Sequence, residues 1–175
     1  MAEYNININE LQNYSSVLKA GDRVLLSGTV YTSRDAAHKR IFEFLDNGED
    51  LPFDLKGACI YFAGPTPTPE GMVIGSCGPT TSGRMDVYSP RLLNFGLAAM
   101  IGKGERNESV CDSIVKNKAV YFCAVGGAGA ICAKHIKSCK EIAFKDLGCE
   151  SIKELELEDF PVIVAIDSKG GNLFK

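Results

Sequence analysis

The sequence carries no excess of positive charge. Its 19 Lys and Arg are outnumbered by 22 Asp and Glu, for a net charge of −3, which argues against a protein that works by neutralising a nucleic-acid backbone. No apolar run approaches the ~20 residues that a bilayer-spanning helix needs. Met1 to Glu10 is polar and acidic, unlike a signal peptide. The expectation is a cytoplasmic protein without a membrane partner. Histidine is scarce: there are two, His38 and His135, each beside a lysine in an expected helix and without a cysteine or carboxylate at ligand spacing. Both therefore read as exposed or half-buried helix residues, and no metal is assigned to them. There is no G-x-S-x-G elbow, which makes a serine hydrolase a poor reading. The Gly126-Gly127-Ala128-Gly129 turn completes no G-x-G-x-x-G fingerprint and is followed by no Walker lysine. It reads as a tight strand-to-helix turn, with Gly129 small enough for close backbone contact. No cysteine pair has C-x-x-C spacing, and the number of cysteines, seven, is odd. Reduced, mostly buried thiols are expected, with no metal held by this chain.

What is present reads as one α/β domain over residues 1–175. The alternation Tyr4 to Ile8 predicts a short edge strand. Val24 to Thr32 predicts a longer strand, rich in Val, Leu, Thr and Tyr. A helix follows from Ala36 to about Leu45, capped by Asp35, with Ala37, Ile41, Phe44 and Leu45 at helical spacing. Ala58 to Ala63 predicts a buried strand. Residues 64–71, stiffened by Pro65, Pro67 and Pro69, form a loop. Met72 to Ile74 predicts a short strand leading to the next turn. Pro90 to Ile101 predicts a helix capped by Ser89 and ended by Gly102. Further elements are expected as a helix over Glu108 to Lys116, a strand over Ala119 to Val125, a helix over Ala130 to Ser138, and strands over Ile142 to Phe144 and Val162 to Ile166.

The chemistry concentrates in residues 75–86, Gly-Ser-Cys-Gly-Pro-Thr-Thr-Ser-Gly-Arg-Met-Asp. A glycine-rich turn there carries two hydroxyls, Thr80 and Thr81, and one guanidinium, Arg84. Arg34 follows the long strand and precedes a helix. Lys103 lies between Gly102 and Gly104, which free the backbone to aim its ammonium. Three cations at strand or helix ends, Arg34, Arg84 and Lys103, are suited to gripping the two carboxylates of a small diacid, with arginine supplying a planar bidentate hold and lysine a mobile point charge. Asp86 either orients Arg84 or caps the following turn.

The run Gly78-Pro79-Thr80-Thr81-Ser82-Gly83-Arg84-Met85-Asp86 resembles the signature of the C-terminal domain of class I fumarases. It is equally similar to that of the β subunit of L(+)-tartrate dehydratase. Leu26 to Val30, Thr32 to His38, Gly102-Lys103-Gly104 and Gly126 to Ala130 agree in order, so the resemblance covers nearly the whole chain. It implies a swivelling β/β/α domain acting as the β subunit of a hydro-lyase. The reaction implied is reversible hydration of fumarate to L-malate, with dehydration of L(+)-tartrate to oxaloacetate as the alternative. It implies a [4Fe-4S] cluster whose one iron without a protein ligand binds the departing hydroxyl. The cluster cysteines belong to the α subunit, not to this chain, in an α2β2 hetero-oligomer. Arg34, Arg84 and Lys103 become substrate-binding residues. Thr80 matches the family's base, and Thr81 positions it or donates to a substrate oxygen. A reading of another class is a non-catalytic module that binds a small anion or a partner surface through the same cationic turn.

Overall fold

A computed structural model of the chain describes every residue except Gly126. The strands are β1 (Glu3–Asn7), β2 (Arg23–Thr32), β3 (Cys59–Tyr61), β4 (Ala99–Gly102), β5 (Val120–Cys123), β6 (Ile136–Ala143) and β7 (Ile152–Ile166). The helices are α1 (Leu11–Tyr14), α2 (Asp35–Asn47), α3 (Ser89–Asn94), α4 (Glu108–Lys116) and α5 (Gly129–Lys134). The α/β class expected from the sequence is the one the chain forms.

Strands β2, β3, β4 and β5 lie side by side and parallel. The long β7 runs antiparallel to both β5 and β2, which closes the five strands into a ring. β1 pairs parallel with the first half of β2, on the edge that β3 takes up at its end, and β6 pairs with β7. Alternation along each strand divides the apolar residues between two faces. Val24, Leu26, Cys59, Tyr61, Ala99, Ile101, Val120, Phe122, Leu155 and Val164 meet in one cluster on the inside of the ring. Ile60, Phe62, Met100 and Tyr121 point the other way. They pack against Ala37 and Ile41 of α2, Leu92 and Leu93 of α3, and Val110 and Ile114 of α4. Among the described residues no helix is long and apolar enough to cross a membrane.

Several elements differ from the sequence reading. The helix expected over Pro90 to Ile101 ends at Asn94, and Ala99–Gly102 is strand β4. Gly96, at φ +98°, turns the chain out of the helix, and a side chain there would press on the Lys56 backbone. Ser89 does not cap α3; its hydroxyl donates to the Met85 carbonyl at 3.0 Å, and Tyr88 occupies the cap position. The helix expected to reach Ser138 stops at Lys134, because residues 136–143 pair with β7. The last strand begins at Ile152 rather than Val162. Met72 to Ile74 forms no strand and belongs to the proline-rich loop. The short α1 was not foreseen. Gly126 of the glycine turn lies outside the described residues.

Candidate active site

Three pieces of the site hang from the carboxyl ends of three neighbouring parallel strands, β2, β3 and β4. After β2, the Ser33 amide donates to the Tyr61 carbonyl at 3.1 Å, and α2 begins at Asp35. After β3, the Thr80 amide donates to the Phe62 carbonyl at 2.7 Å, and Ala63 pairs with Pro79. After β4, Lys103 pairs with Thr81; the Ser82 amide donates to the Lys103 carbonyl at 3.0 Å, and the Lys103 amide donates to Ser82 Oγ at 3.1 Å. Gly102 makes this junction possible. A Cβ at Gly102 would collide with Ser82 Oγ and the Phe62 ring. The 3₁₀ turn Ser82–Met85 then presents Arg84 outward.

The side chains converge on Asp35. Its Oδ1 accepts from Arg84 Nε at 2.8 Å, and its Oδ2 accepts from Arg84 Nη2 at 3.1 Å. Oδ2 also accepts from Arg34 Nε at 3.2 Å. The same Arg84 Nη2 donates to Thr80 Oγ1 at 2.6 Å. Arg34 Nε is flanked on its other side by Glu150 Oε1 at 3.3 Å, which also accepts from the Ala36 amide at 3.1 Å. The Arg84 guanidinium holds the Asp35 carboxyl down to about 2, well below the usual carboxylate range. The side chains of Arg34, Asp35 and Arg84 are 28%, 38% and 44% exposed, so the cluster is open to a ligand. Lys103 is half-buried and, among the described residues, has no carboxylate within ion-pair distance. Thr81 is exposed.

The structure thus brings Arg34, Arg84 and Thr80 into one network, and ties Lys103 and Thr81 to it through the backbone. Asp35 and Glu150 were missed. Asp35 looked like a helix cap, yet its carboxylate serves two arginines. Its signal was the Arg34-Asp35 pair at a strand-to-helix corner; Glu150 had none. Asp86 pairs not with Arg84 but with Arg106, Oδ1 to Nε at 2.6 Å, and accepts from the Asn107 amide at 2.7 Å.

Both histidines belong to the scaffold. His38 is fully buried rather than exposed; its Nδ1 lies 2.8 Å from Ser33 Oγ and 3.2 Å from the Arg34 carbonyl. Burial pushes its pKa down to about 4. His135 Nδ1 lies 3.0 Å from the Glu158 carbonyl. Gly129 makes a close contact of the kind its size allows: its carbonyl accepts from the Cys77 amide at 3.1 Å, and a Cβ there would strike Ser76 Oγ.

The thiols of this chain are a poor donor set for a metal centre. Burial pushes the Cys77 thiol up to about 12 and moves Cys59, Cys111, Cys123, Cys132 and Cys139 in the same direction. A ligating thiolate needs the opposite. Cys149 is exposed. Among the described residues, no three His, Cys, Asp or Glu side chains gather where they could hold a metal ion. An iron–sulfur cluster does not fit the residues present.

Comparison with known proteins gives the chain a family. The family model described as Fumarase C-terminus matches residues 1–175. The chain belongs to the fumarase C-terminus family. It is 41% identical over 169 residues to fumarate hydratase 2 of Leishmania major, covering 95% of this chain and 30% of that protein. It is 39% identical over 175 residues to the aerobic class I fumarate hydratase of Escherichia coli K12, covering 99% of this chain and 32% of that protein. The chain therefore spans about a third of the length of these fumarate hydratases. It is also 40% identical over 164 residues to a proposed L(+)-tartrate dehydratase subunit beta of Methanocaldococcus jannaschii, covering 90% of this chain and 84% of that protein.

Proposed function

We propose that this fumarase C-terminus chain is the diacid-gripping β subunit of an iron–sulfur hydro-lyase that interconverts fumarate and L-malate. The observation that carries the proposal is the Arg34–Asp35–Arg84–Thr80 network, which places two guanidinia and a hydroxyl together at the open ends of β2 and β3. The [4Fe-4S] cluster in this reading belongs to an α subunit, in an α2β2 assembly in the cytoplasm, where the seven thiols stay reduced.

Dehydration of malate removes a proton from C3 and the hydroxyl from C2, the C3–H electron pair becoming the double bond, and the carboxylate next to C3 takes up charge as the proton leaves. Arg34, Arg84 and Lys103 hold the two carboxylates and stabilise that charge as it develops. Thr80 receives the proton and Thr81 positions it or donates to a substrate oxygen. A free alcohol is a very poor base, because its alkoxide is scarce at neutral pH. The Arg84 Nη2–H aimed at Thr80 Oγ1 at 2.6 Å favours the negatively charged form of that oxygen, which is the direction a base at this position requires.

A second reading, dehydration of L(+)-tartrate to oxaloacetate, is favoured by one observation: the chain covers 84% of the proposed tartrate dehydratase subunit beta. The test is anaerobic co-expression with a cluster-bearing partner, followed by assays with fumarate, malate and L-tartrate side by side. Turnover of fumarate and malate supports the first reading, and turnover of L-tartrate alone supports the second. A partner-free chain that binds a diacid and turns over none, with no brown chromophore in any co-purified complex, would leave the anion-binding module.

A further inference from the structure

The geometry points to Asp35 as the positioning residue of the anion grip, its carboxylate setting the spacing of Arg34 and Arg84 and turning Arg84 toward Thr80. The kinetic consequence of this inference rests on the hydro-lyase reading; the positional one stands on the contacts alone.

A carboxylate offers two oxygens and about four lone-pair directions. Three of these are taken by guanidinium N–H groups: Oδ1 by Arg84 Nε, and Oδ2 by both Arg84 Nη2 and Arg34 Nε. The paired contact from Nε and Nη2 fixes the plane of the Arg84 guanidinium, as a single contact would not. With that plane fixed, the other hydrogen on Nη2 falls on Thr80 Oγ1 at 2.6 Å. Without Asp35 two like charges would face each other across the site and Arg84 would lose its aim.

Asp35 is itself well held. It is the first residue of a 13-residue helix, whose N-terminal dipole favours a carboxylate. The corner before it is pinned by the Ser33 amide on Tyr61, at 3.1 Å, and by the His38 amide on the Arg34 carbonyl, at 2.8 Å. Glu150 cannot replace it, since its contact is with Arg34 and it has none with Arg84.

Removing this charge while keeping the side chain's shape has two opposed effects. The site becomes more positive, so a dianion binds at least as tightly. The alignment of Arg84 and Thr80 is lost, so turnover falls. A residue that merely supported the fold would not divide KM from kcat in this way.

The experiment uses Asp35→Asn and Asp35→Glu, with thermal melting confirming that both fold. In the chain itself, Arg84 Nε–H should exchange slowly with water in the wild type and rapidly in Asp35→Asn, read from its side-chain nitrogen–proton resonance. In the complex with its cluster-bearing partner, Asp35→Asn should lose about 100-fold in kcat with KM for the diacid unchanged or lower. Asp35→Glu, which keeps the charge, should recover part of kcat. Protection of Arg84 Nε–H that survives in Asp35→Asn would overturn the inference, as would a raised KM with unchanged kcat. A wild-type complex that turns over no diacid would end the hydro-lyase reading, and the resonance would then decide the positioning by itself.

Discussion

Two arginine–aspartate pairs, Arg106 with Asp86 and Arg84 with Asp35, do opposite work. Arg106 has a fully buried side chain, and its partner Asp86 is 9% exposed. Its Nε donates to Asp86 at 2.6 Å, its Nη2 donates to Ser89 Oγ at 2.6 Å, and its Nη1 faces Met100 Sδ at 3.5 Å. The guanidinium also lies against the Phe62 and Tyr121 rings, at 5.3 and 4.9 Å from their centroids. Every side of this cation is occupied, so it ties α3, α4 and the strands together and has nothing left for a ligand. Arg84, with Asp35, is half open to solvent and spends Nε and Nη2 on the protein. Its Nη1 has no partner among the described residues. The saturated pair is scaffold; the unsaturated pair is where a diacid can find donors.

The comparison is broken most forcefully from the buried side. Arg106→Leu leaves Asp86 buried without its partner and should cost about 3–5 kcal/mol of stability, measured by urea unfolding. A loss below about 1 kcal/mol, the usual worth of an exposed pair, would mean that the two pairs are alike.

His38, buried behind the same corner, gives a pH test. Its pKa is lowered from 6.5 to about 4 by burial, so the unfolded chain takes up a proton that the folded chain refuses. This stability is fully present above about pH 6.5 and is lost as the pH falls toward about 4, by up to about 3 kcal/mol. Urea midpoints at pH 7 and pH 5 should therefore separate more widely for the wild type than for His38→Gln; equal separations would contradict the assignment.

From the open side, Arg84→Lys should cost about 100-fold in kcat/KM while shifting stability by no more than about 1 kcal/mol. Wild-type kinetics in this variant would remove Arg84 from the site. Thr80→Val should cost about 100-fold or more in kcat, with little change in KM. A loss confined to KM would make Thr80 a binding residue and not a proton carrier.

The parts of the fold legible in the sequence are those whose local pattern agrees with their surroundings. The β-branched run of β2 and the helical spacing of α2 need no distant information. β4 was hidden because Leu97, Ala98 and Ile101 continue the spacing of Leu92 and Leu93; only Gly96 and the flanking β3 and β5 decide against a longer helix. The first half of β7 was hidden by its charges. Lys153, Glu154, Glu156 and Glu158 are interleaved with the buried Ile152, Leu155 and Leu157, and Pro161 sits within the strand. Asp159, at φ +50°, marks the irregularity that the sequence does not show. At the site, the cations were legible because each stands beside glycine or at an element's end. Their counter-ions were not, because the partner of an arginine is chosen by the fold: Asp86 lies two residues from Arg84 yet binds Arg106, whereas Asp35 reaches Arg84 from 49 residues away.

The central claim is that Arg34, Arg84 and Lys103 hold one diacid. It is tested most directly by a structure of the partner-complete complex with malate bound. The account predicts carboxylate oxygens about 3 Å from nitrogens of Arg34 and Arg84, with the Lys103 ammonium on the same molecule. Malate seated elsewhere, with Arg84 still facing Asp35 and Thr80 alone, would contradict it.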